Sequence, residues 1–200
     1  MVNIAQPNTL KPDYFDEVYA ANADPWGFET SNYEHGKYAH TLRSLPRFTY
    51  QNVFEIGCSL GVLTAQLAPR CGRLLAVDGS ETPLVRAREL CRDLPNVEIA
   101  QMQVPDQFPD GKFDLILVSE VGYYWSPADF SAAQSTILDH LEPGGHLMLV
   151  HWTPPVHDYP LTGDEVHEAF LALGGLKSLR SHRAKTYRLD VLERIADSKD

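Results

Sequence analysis

Apolar residues fall along this chain in two rhythms, one suited to helices and one to strands buried on both faces. Tyr14, Phe15, Val18 and Tyr19 recur at helical spacing, which predicts a short helix over 12–21. A turn-rich stretch over 22–33 follows, with Asp24-Pro25-Trp26-Gly27 at its centre, and 34–45 reads as a second helix stopped by Pro46. About fifty residues precede the first strand candidate, Val53-Phe54-Glu55-Ile56. Strand and helix patterns then alternate: strand 53–57, helix 60–68, strand 73–77, helix 81–91, strand 97–101 and strand 113–118. A helix over 128–141 stops at Glu142-Pro143-Gly144-Gly145 and a strand over 146–151 follows. A proline-bearing loop then leads to a helix over 162–173 and two terminal strand candidates.

Runs such as Leu115-Ile116-Leu117-Val118 and Leu147-Met148-Leu149-Val150 carry no polar alternation, so both faces of these strands must be buried. The expected fold is α/β and doubly wound, with a mostly parallel sheet covered by helices. Ligands in such sheets sit beyond the carboxyl ends of the strands where the strand order reverses, so chemistry is sought in the loops after the strands.

Composition narrows the class. With 200 residues, 44% of them apolar and 10% aromatic, the chain suits a single domain over 1–200 with a sizeable core. Lys and Arg number 17 against 27 Asp and Glu, a formal net charge of −10, and no run of five like charges occurs. That balance disfavours nucleic acid and anionic membranes as partners; an acidic field suits an amine-bearing substrate, and equally suits simple solubility. Cys58, Cys71 and Cys91 lack metal or redox spacing, which fits a reducing cytoplasm. The first residues are neither basic nor apolar, and no window approaches eighteen consecutive apolar residues. The expectation is a soluble, unsecreted, cytoplasmic protein.

The loop after the first strand reads Glu55-Ile-Gly57-Cys-Ser59-Leu-Gly61, with glycines where backbone must approach a ligand closely. A dinucleotide fingerprint needs glycine at the first, third and sixth places; counted from Gly57 only the first matches, which argues against a nicotinamide oxidoreductase. The spacing instead resembles motif one of class I S-adenosylmethionine methyltransferases. Ser59 stands where that motif usually has its middle glycine, which is acceptable if its φ stays negative. The second strand ends in Asp78, 21 positions beyond Gly57, followed by Gly79. A carboxylate there can bind ribose hydroxyls, or it can cap the next helix, a task Ser80 can also perform. Where many relatives hold the adenine amino group with Asp, this chain has Met102 or Gln103. After the fourth strand come Ser119, Glu120 and the aromatics Tyr123, Tyr124 and Trp125; after the fifth, His151, Trp152, His157 and Asp158. His151 and His157 lack a third partner for a metal, and none is expected.

The phrases DPWGFETSNYEHGKY, VFEIGCSLGVLTAQLA, LLAVDGS, FDLILVSEVGYYW, HWTPPVHDYPLTGD and YRLDVLERI together resemble the NodS family, the N-methyltransferases of nodulation-signal biosynthesis. The resemblance implies a Rossmann-like class I methyltransferase with a seven-stranded sheet, helices on both faces, and an N-terminal helical lid over 1–50 on a core over 51–200. It implies S-adenosyl-L-methionine as methyl donor, with S-adenosyl-L-homocysteine as product. The acceptor would be the free amine at the non-reducing end of a deacetylated chitooligosaccharide. Glu55, Gly57, Ser59, Gly61, Asp78, Gly79, Met102, Gln103, Ser119 and Tyr14 are then the expected cofactor residues. Trp26, Tyr33, Tyr124 and Trp152 are expected substrate walls, since sugar faces stack on aromatics. Methyl transfer needs an unprotonated amine, which makes Glu120 and His151 the candidates to orient or deprotonate it. Other acceptors, such as a different amino sugar or a small-molecule hydroxyl, and a non-catalytic cofactor-binding module remain the alternatives.

Overall fold

In the computed structural model, which describes residues 8–196, the apolar runs pair into one seven-stranded sheet of order β3-β2-β1-β4-β5-β7-β6. The first seven residues of the expected lid and the last four of the expected core lie outside the described residues. The strands are β1 (Tyr50–Ile56), β2 (Cys71–Asp78), β3 (Val97–Gln101), β4 (Phe113–Ser119), β5 (Leu141–Trp152), β6 (Leu176–Arg183) and β7 (Tyr187–Arg194). The first five run parallel, and β7 lies antiparallel to both β5 and β6.

Period-two side-chain alternation with apolar residues on both faces builds two core layers. Phe54, Ile56, Ile116, Val118, Leu147 and Leu149 meet Phe130 and Ile137 of α5 (Pro127–His140) and Phe170 of α6 (Gly163–Leu171). Val53, Leu115, Leu117, Met148 and Val150 face the other way, toward Tyr38 of α2 (Asn32–Ser44) and Leu63 and Leu67 of α3 (Val62–Leu67). Every residue of β4 is buried, as its unbroken apolar run requires. Between α3 and β2 the chain makes one 3₁₀ turn; α4 (Glu81–Cys91) follows β2, and α1 (Pro12–Ala21) has the bounds its periodicity predicts. No helix among the described residues is long and apolar enough to cross a membrane.

Element ends differ where capping decides them. Helix α2 begins two residues before the expected Glu34 because Ser31 is its N-cap, accepting from the Glu34 N–H. Helix α6 is shorter than expected: Thr162 and Glu165 form a reciprocal capping box, so the helix starts at Gly163, and it stops at Leu171. Strand β5 starts at Leu141, which pairs with Phe113, and the register to β4 then jumps so that His146 pairs with Leu115. The Pro143-Gly144-Gly145 segment is thus absorbed as an irregularity in the ladder. The chain lays β1, β2 and β3 in one direction and returns to place β4 on the other side of β1, so the strand order reverses between β1 and β4.

Candidate active site

Beyond the carboxyl ends of these strands lies a cavity of about 490 Å³, a size typical of sites for small molecules. Its floor carries Gly57 and Ser59 after β1, Asp78 and Gly79 at β2, Met102 and Gln103 after β3, and Ser119 and Glu120 at β4. The N-terminal elements roof it with Pro12, Phe15, Tyr19, Trp26, Phe28, Tyr33, Glu34 and Lys37, and Tyr123, Tyr124, Trp152 and Tyr159 close the far side. Asp16 of α1 pins the roof to α4 by accepting from the hydroxyls of Ser80 (2.5 Å) and Thr82 (2.8 Å).

The glycine loop is shaped by close approach. Gly57 has φ +86°, and a Cβ there would stand 2.9 Å from the Ser119 carbonyl oxygen, so only glycine lets the loop cross the end of β4. Ser59 departs from expectation: its φ is +49°, not negative. Left-handed backbone costs a non-glycine residue roughly 1–2 kcal/mol, and two bonds hold it there. The Ser59 N–H donates to Asp78 Oδ2 at 3.0 Å, and the Ser59 hydroxyl pairs with that of Tyr19. Gly61 (φ +77°) does not line the cavity. A Cβ on it would meet Ala87 of α4 at 3.0 Å, so its smallness serves the packing of α3 on α4.

Asp78 lies between the alternatives its sequence position left open. Ser80 caps α4 by accepting from the Thr82 N–H, while Asp78 accepts the N–H groups of Ser59 and Ser80, one on each oxygen, at 3.0 Å each. Burial pushes its carboxyl above the usual range, and the backbone N–H groups of Ser80, Ser59 and Gly79 draw it back. The carboxylate, with about four acceptor positions, retains unused capacity at the cavity. Both Met102 and Gln103 line the cavity, the former bonded through its N–H to the Asp78 carbonyl at 2.9 Å.

Glu55 sits beneath the loop and not in the main cavity, only 1% exposed. Burial raises its carboxyl from 4.5 to about 7, against a smaller lowering by the Thr64 hydroxyl. Between those two values the folded state keeps a proton that the unfolded state has lost, so Glu55 costs stability progressively as pH rises through this window. Glu55→Gln, neutral throughout, is therefore expected to raise Tm by several degrees at pH 8 and to change it little at pH 4.5. Calorimetric melts at the two pH values check this, and an equal shift at both would show that the carboxyl is ionised in the fold.

The far half of the cavity is organised around Glu120, which takes φ +55° and is held by four bonds. Its N–H donates to Val150 O at 2.9 Å. Oε1 pairs with the Lys37 ammonium at 2.6 Å, and Oε2 accepts from the Tyr123 hydroxyl at 2.6 Å and the Trp152 N–H at 2.7 Å. Lys37 also reaches both oxygens of Glu34, at 3.1 and 2.9 Å, and its ammonium lies 5.4 Å from the Tyr33 ring centre. Burial works against the charge of Lys37, but Glu120 and Glu34 outweigh it and hold the amine above its ordinary range. Trp26 stacks on Phe28, Tyr33 meets Trp152 edge-on, and Tyr124 is buried against Phe15 and Tyr159. Lys37, Glu34, Tyr19 and Phe15 are absent from the sequence-based set. The one signal for the first two lay within NYEHGKY, where Glu34 and Lys37 stand three apart, a spacing that ordinarily marks a solvated helix face.

Besides Glu55 and Gly61, two further expected positions lie outside the cavity. Tyr14 is 37% exposed and outside the cavity; Phe15 and Tyr19 face inward from the same helix. His151 is fully buried behind the cavity wall. Its Nε2 accepts the Gly122 N–H at 3.1 Å, which places its proton on Nδ1, facing His167 Nε2 at 3.1 Å. His167 Nδ1 in turn bonds Asp190 Oδ2 at 2.6 Å. Burial, His167 and Lys37 keep the imidazole neutral, well below the usual histidine range. With both nitrogens engaged it anchors the turn carrying Tyr123 and cannot receive a proton from the cavity.

The cavity thus has one end with a buried carboxylate beside a glycine loop, and another with an ammonium between two carboxylates under aromatic walls. The family model described as nodulation protein S (NodS) matches residues 14–151. Over 127 residues the chain is 33% identical to nodulation protein S of Rhizobium tropici, covering 62% of this chain and 53% of that protein. Over 130 residues it is 31% identical to nodulation protein S of Sinorhizobium fredii, covering 64% and 60%. The chain spans about half the length of the curated relatives it matches. Among solved structures it resembles N-methyltransferase NodS from Bradyrhizobium japonicum in complex with S-adenosyl-L-homocysteine. The TM-score is 0.82 at 24% identity, over 92% of this chain and 99% of that one, a likeness that shows the class I methyltransferase fold.

Proposed function

The chain belongs to the nodulation protein S family, and we propose that it methylates the free amine of the non-reducing-end glucosamine in a deacetylated chitooligosaccharide, with S-adenosylmethionine as donor. The bound donor supplies an electrophilic methyl group on a sulfonium. The residues fit it: Asp78 has unused acceptor capacity for a vicinal diol, Gly57 leaves room for close approach, and Met102 and Gln103, which line the same cavity, are the candidates to flank the adenine.

The observation that carries the reading is the continuity of the two halves in one cavity, joined at Gly57 and Ser119. A donor laid along the β1, β2 and β3 ends has its reactive end toward Glu120, Tyr33 and Trp152, where an acceptor sugar finds aromatic faces and charged groups. Holding the two reactants in line is worth roughly 7–11 kcal/mol. In this arrangement Glu120 is a positioning residue: gripping Lys37, Tyr123 and the Trp152 N–H, it joins α2, the turn after β4 and the end of β5 into one wall. The helices of residues 8–50 act as the lid of this site, and the protein works in the cytoplasm, where the donor is made.

The test is methyl transfer from labelled S-adenosylmethionine to chitopentaose, fully N-acetylated or deacetylated at its non-reducing end. Labelling of the deacetylated form alone is the expected result. Labelling of neither, despite measurable binding of S-adenosylhomocysteine, would leave the donor site and overturn the acceptor.

A further inference from the structure

Glu120 carries the sequence signal for an acid beside the acceptor, yet its oxygens are already engaged by an ammonium, a hydroxyl and a backbone N–H. Its neighbour across Lys37 is in the opposite condition. Glu34 lines the same cavity, is 6% exposed, and among the described residues receives one donor, the Lys37 ammonium, shared between its two oxygens. A carboxylate has about four acceptor positions, so Glu34 retains unused ones beside the acceptor end.

We infer that Glu34, and not Glu120 or His151, is the catalytic residue that takes the proton from the acceptor amine, with Lys37 as the counter-ion that keeps it anionic until the amine arrives. This rests on the amine-methylating function proposed above. The acceptor enters as an ammonium and passes one N–H proton to Glu34, which becomes a neutral carboxyl. The freed nitrogen lone pair forms the new N–C bond while the methyl–sulfur bond breaks and its electron pair stays on sulfur. The product leaves as a methylated ammonium, and the proton on Glu34 returns to water, which restores the carboxylate.

The surroundings suit the task. Lys37, Glu120, Asp24, Tyr33 and Tyr38 are the charged or titratable groups that face Glu34. Burial pushes its carboxyl up, Lys37 pulls it down, and Glu120 and Asp24 push it up again, leaving it above the ordinary range. A base raised toward working pH accepts a proton more readily than an ordinary carboxylate. The same carboxylate pair gives the ammonium form of the substrate an attractive place to dock.

The experiment is the pH profile of kcat for the parent, Glu34→Gln and Glu34→Asp with the deacetylated oligomer, alongside calorimetry with S-adenosylhomocysteine. Glu34→Gln is expected to lower kcat by about 100-fold and to move the acidic limb of the profile up to the range in which the acceptor amine itself loses its proton, with S-adenosylhomocysteine affinity within twofold of the parent. Glu34→Asp is expected to restore part of the rate and the limb. A Glu34→Gln enzyme that keeps both rate and limb overturns the assignment. So does one whose lost rate is accompanied by an equal loss of S-adenosylhomocysteine affinity, since Glu34 would then shape the whole cavity. A parent that methylates no amine is a different failure, visible before any variant is made: the acceptor reading falls and the role of Glu34 with it.

Discussion

Asp78→Ala is expected to weaken binding of S-adenosylhomocysteine by roughly 100-fold or more. Asp78 accepts one backbone N–H on each oxygen and lines the cavity, so its remaining acceptor capacity can serve a ribose diol. Hydrogen bonds to a charged acceptor contribute roughly 1.5–3 kcal/mol each. Two of them exceed the ~2.7 kcal/mol that corresponds to 100-fold, even after competition with water. Alanine also frees the N–H groups of Ser59 and Ser80, which loosens the glycine loop. Asp78→Asn separates the two effects: its amide oxygen still accepts one backbone bond, but the charge is gone, and an intermediate loss is expected. Isothermal calorimetry on folded protein, checked by circular dichroism, gives the answer. Unchanged affinity in the alanine variant would place the nucleoside elsewhere in the cavity.

Lys37→Met is expected to lower Tm by roughly 6–20 °C at neutral pH. Methionine keeps the apolar length of the stem and removes the ammonium that stands between Glu34 and Glu120, leaving two carboxylates side by side with no counter-ion. Removing one partner of a buried ion pair costs about 3–5 kcal/mol, and in a domain of this size each kcal/mol corresponds to about 2–4 °C. The loss has a pH signature. Without Lys37 nothing offsets the burial and the Glu120 charge that raise the Glu34 carboxyl, so the folded state binds its proton more tightly than the unfolded state does and the deficit, small in acid, grows as pH rises through the carboxyl range. Melts of parent and variant from pH 4 to pH 8 check both the size and the slope. A variant within 2 °C of the parent across that range would mean that water, not Lys37, solvates the two carboxylates.

Much of the cavity floor, the half proposed for the donor, was legible because its residues occupy positions defined by local pattern. Gly57 and Asp78 stand at the carboxyl ends of two apolar runs, and the end of a buried parallel strand is where backbone and side chain leave the core. Gly61, one turn further on, was expected at the cofactor but packs against α4, because φ and close approach look alike in sequence whether the neighbour is a ligand or Ala87. Ser59 was expected at negative φ, but its positive φ is sustained by partners 19 and 40 positions away. Tyr14 and Phe15 are adjacent aromatics on one short helix, and periodicity alone does not say which of them faces inward.

The half proposed for the acceptor was hidden for a related reason. Helical spacing of Glu34 and Lys37 describes an ordinary surface pair, and what turns it into a buried triad is Glu120, 83 residues distant from Lys37. His151 shows the converse. A histidine after a strand, beside a tryptophan, has the pattern of a base, but the strand end aims it at His167 and Asp190 and the Gly122 N–H closes its remaining nitrogen.

Periodicity, apolar runs and turn residues were enough to specify the elements, a mostly parallel sheet and the loops that hold the cavity, because these depend on neighbours a few residues away and on which faces must leave water. Antiparallel placement of the last two strands, burial of Lys37 between two acids, and the inward turn of His151 were settled by the packed molecule. Burial and ion pairing join groups from opposite ends of the chain, and the cost of removing a charge from water depends on the whole surround that the fold assembles.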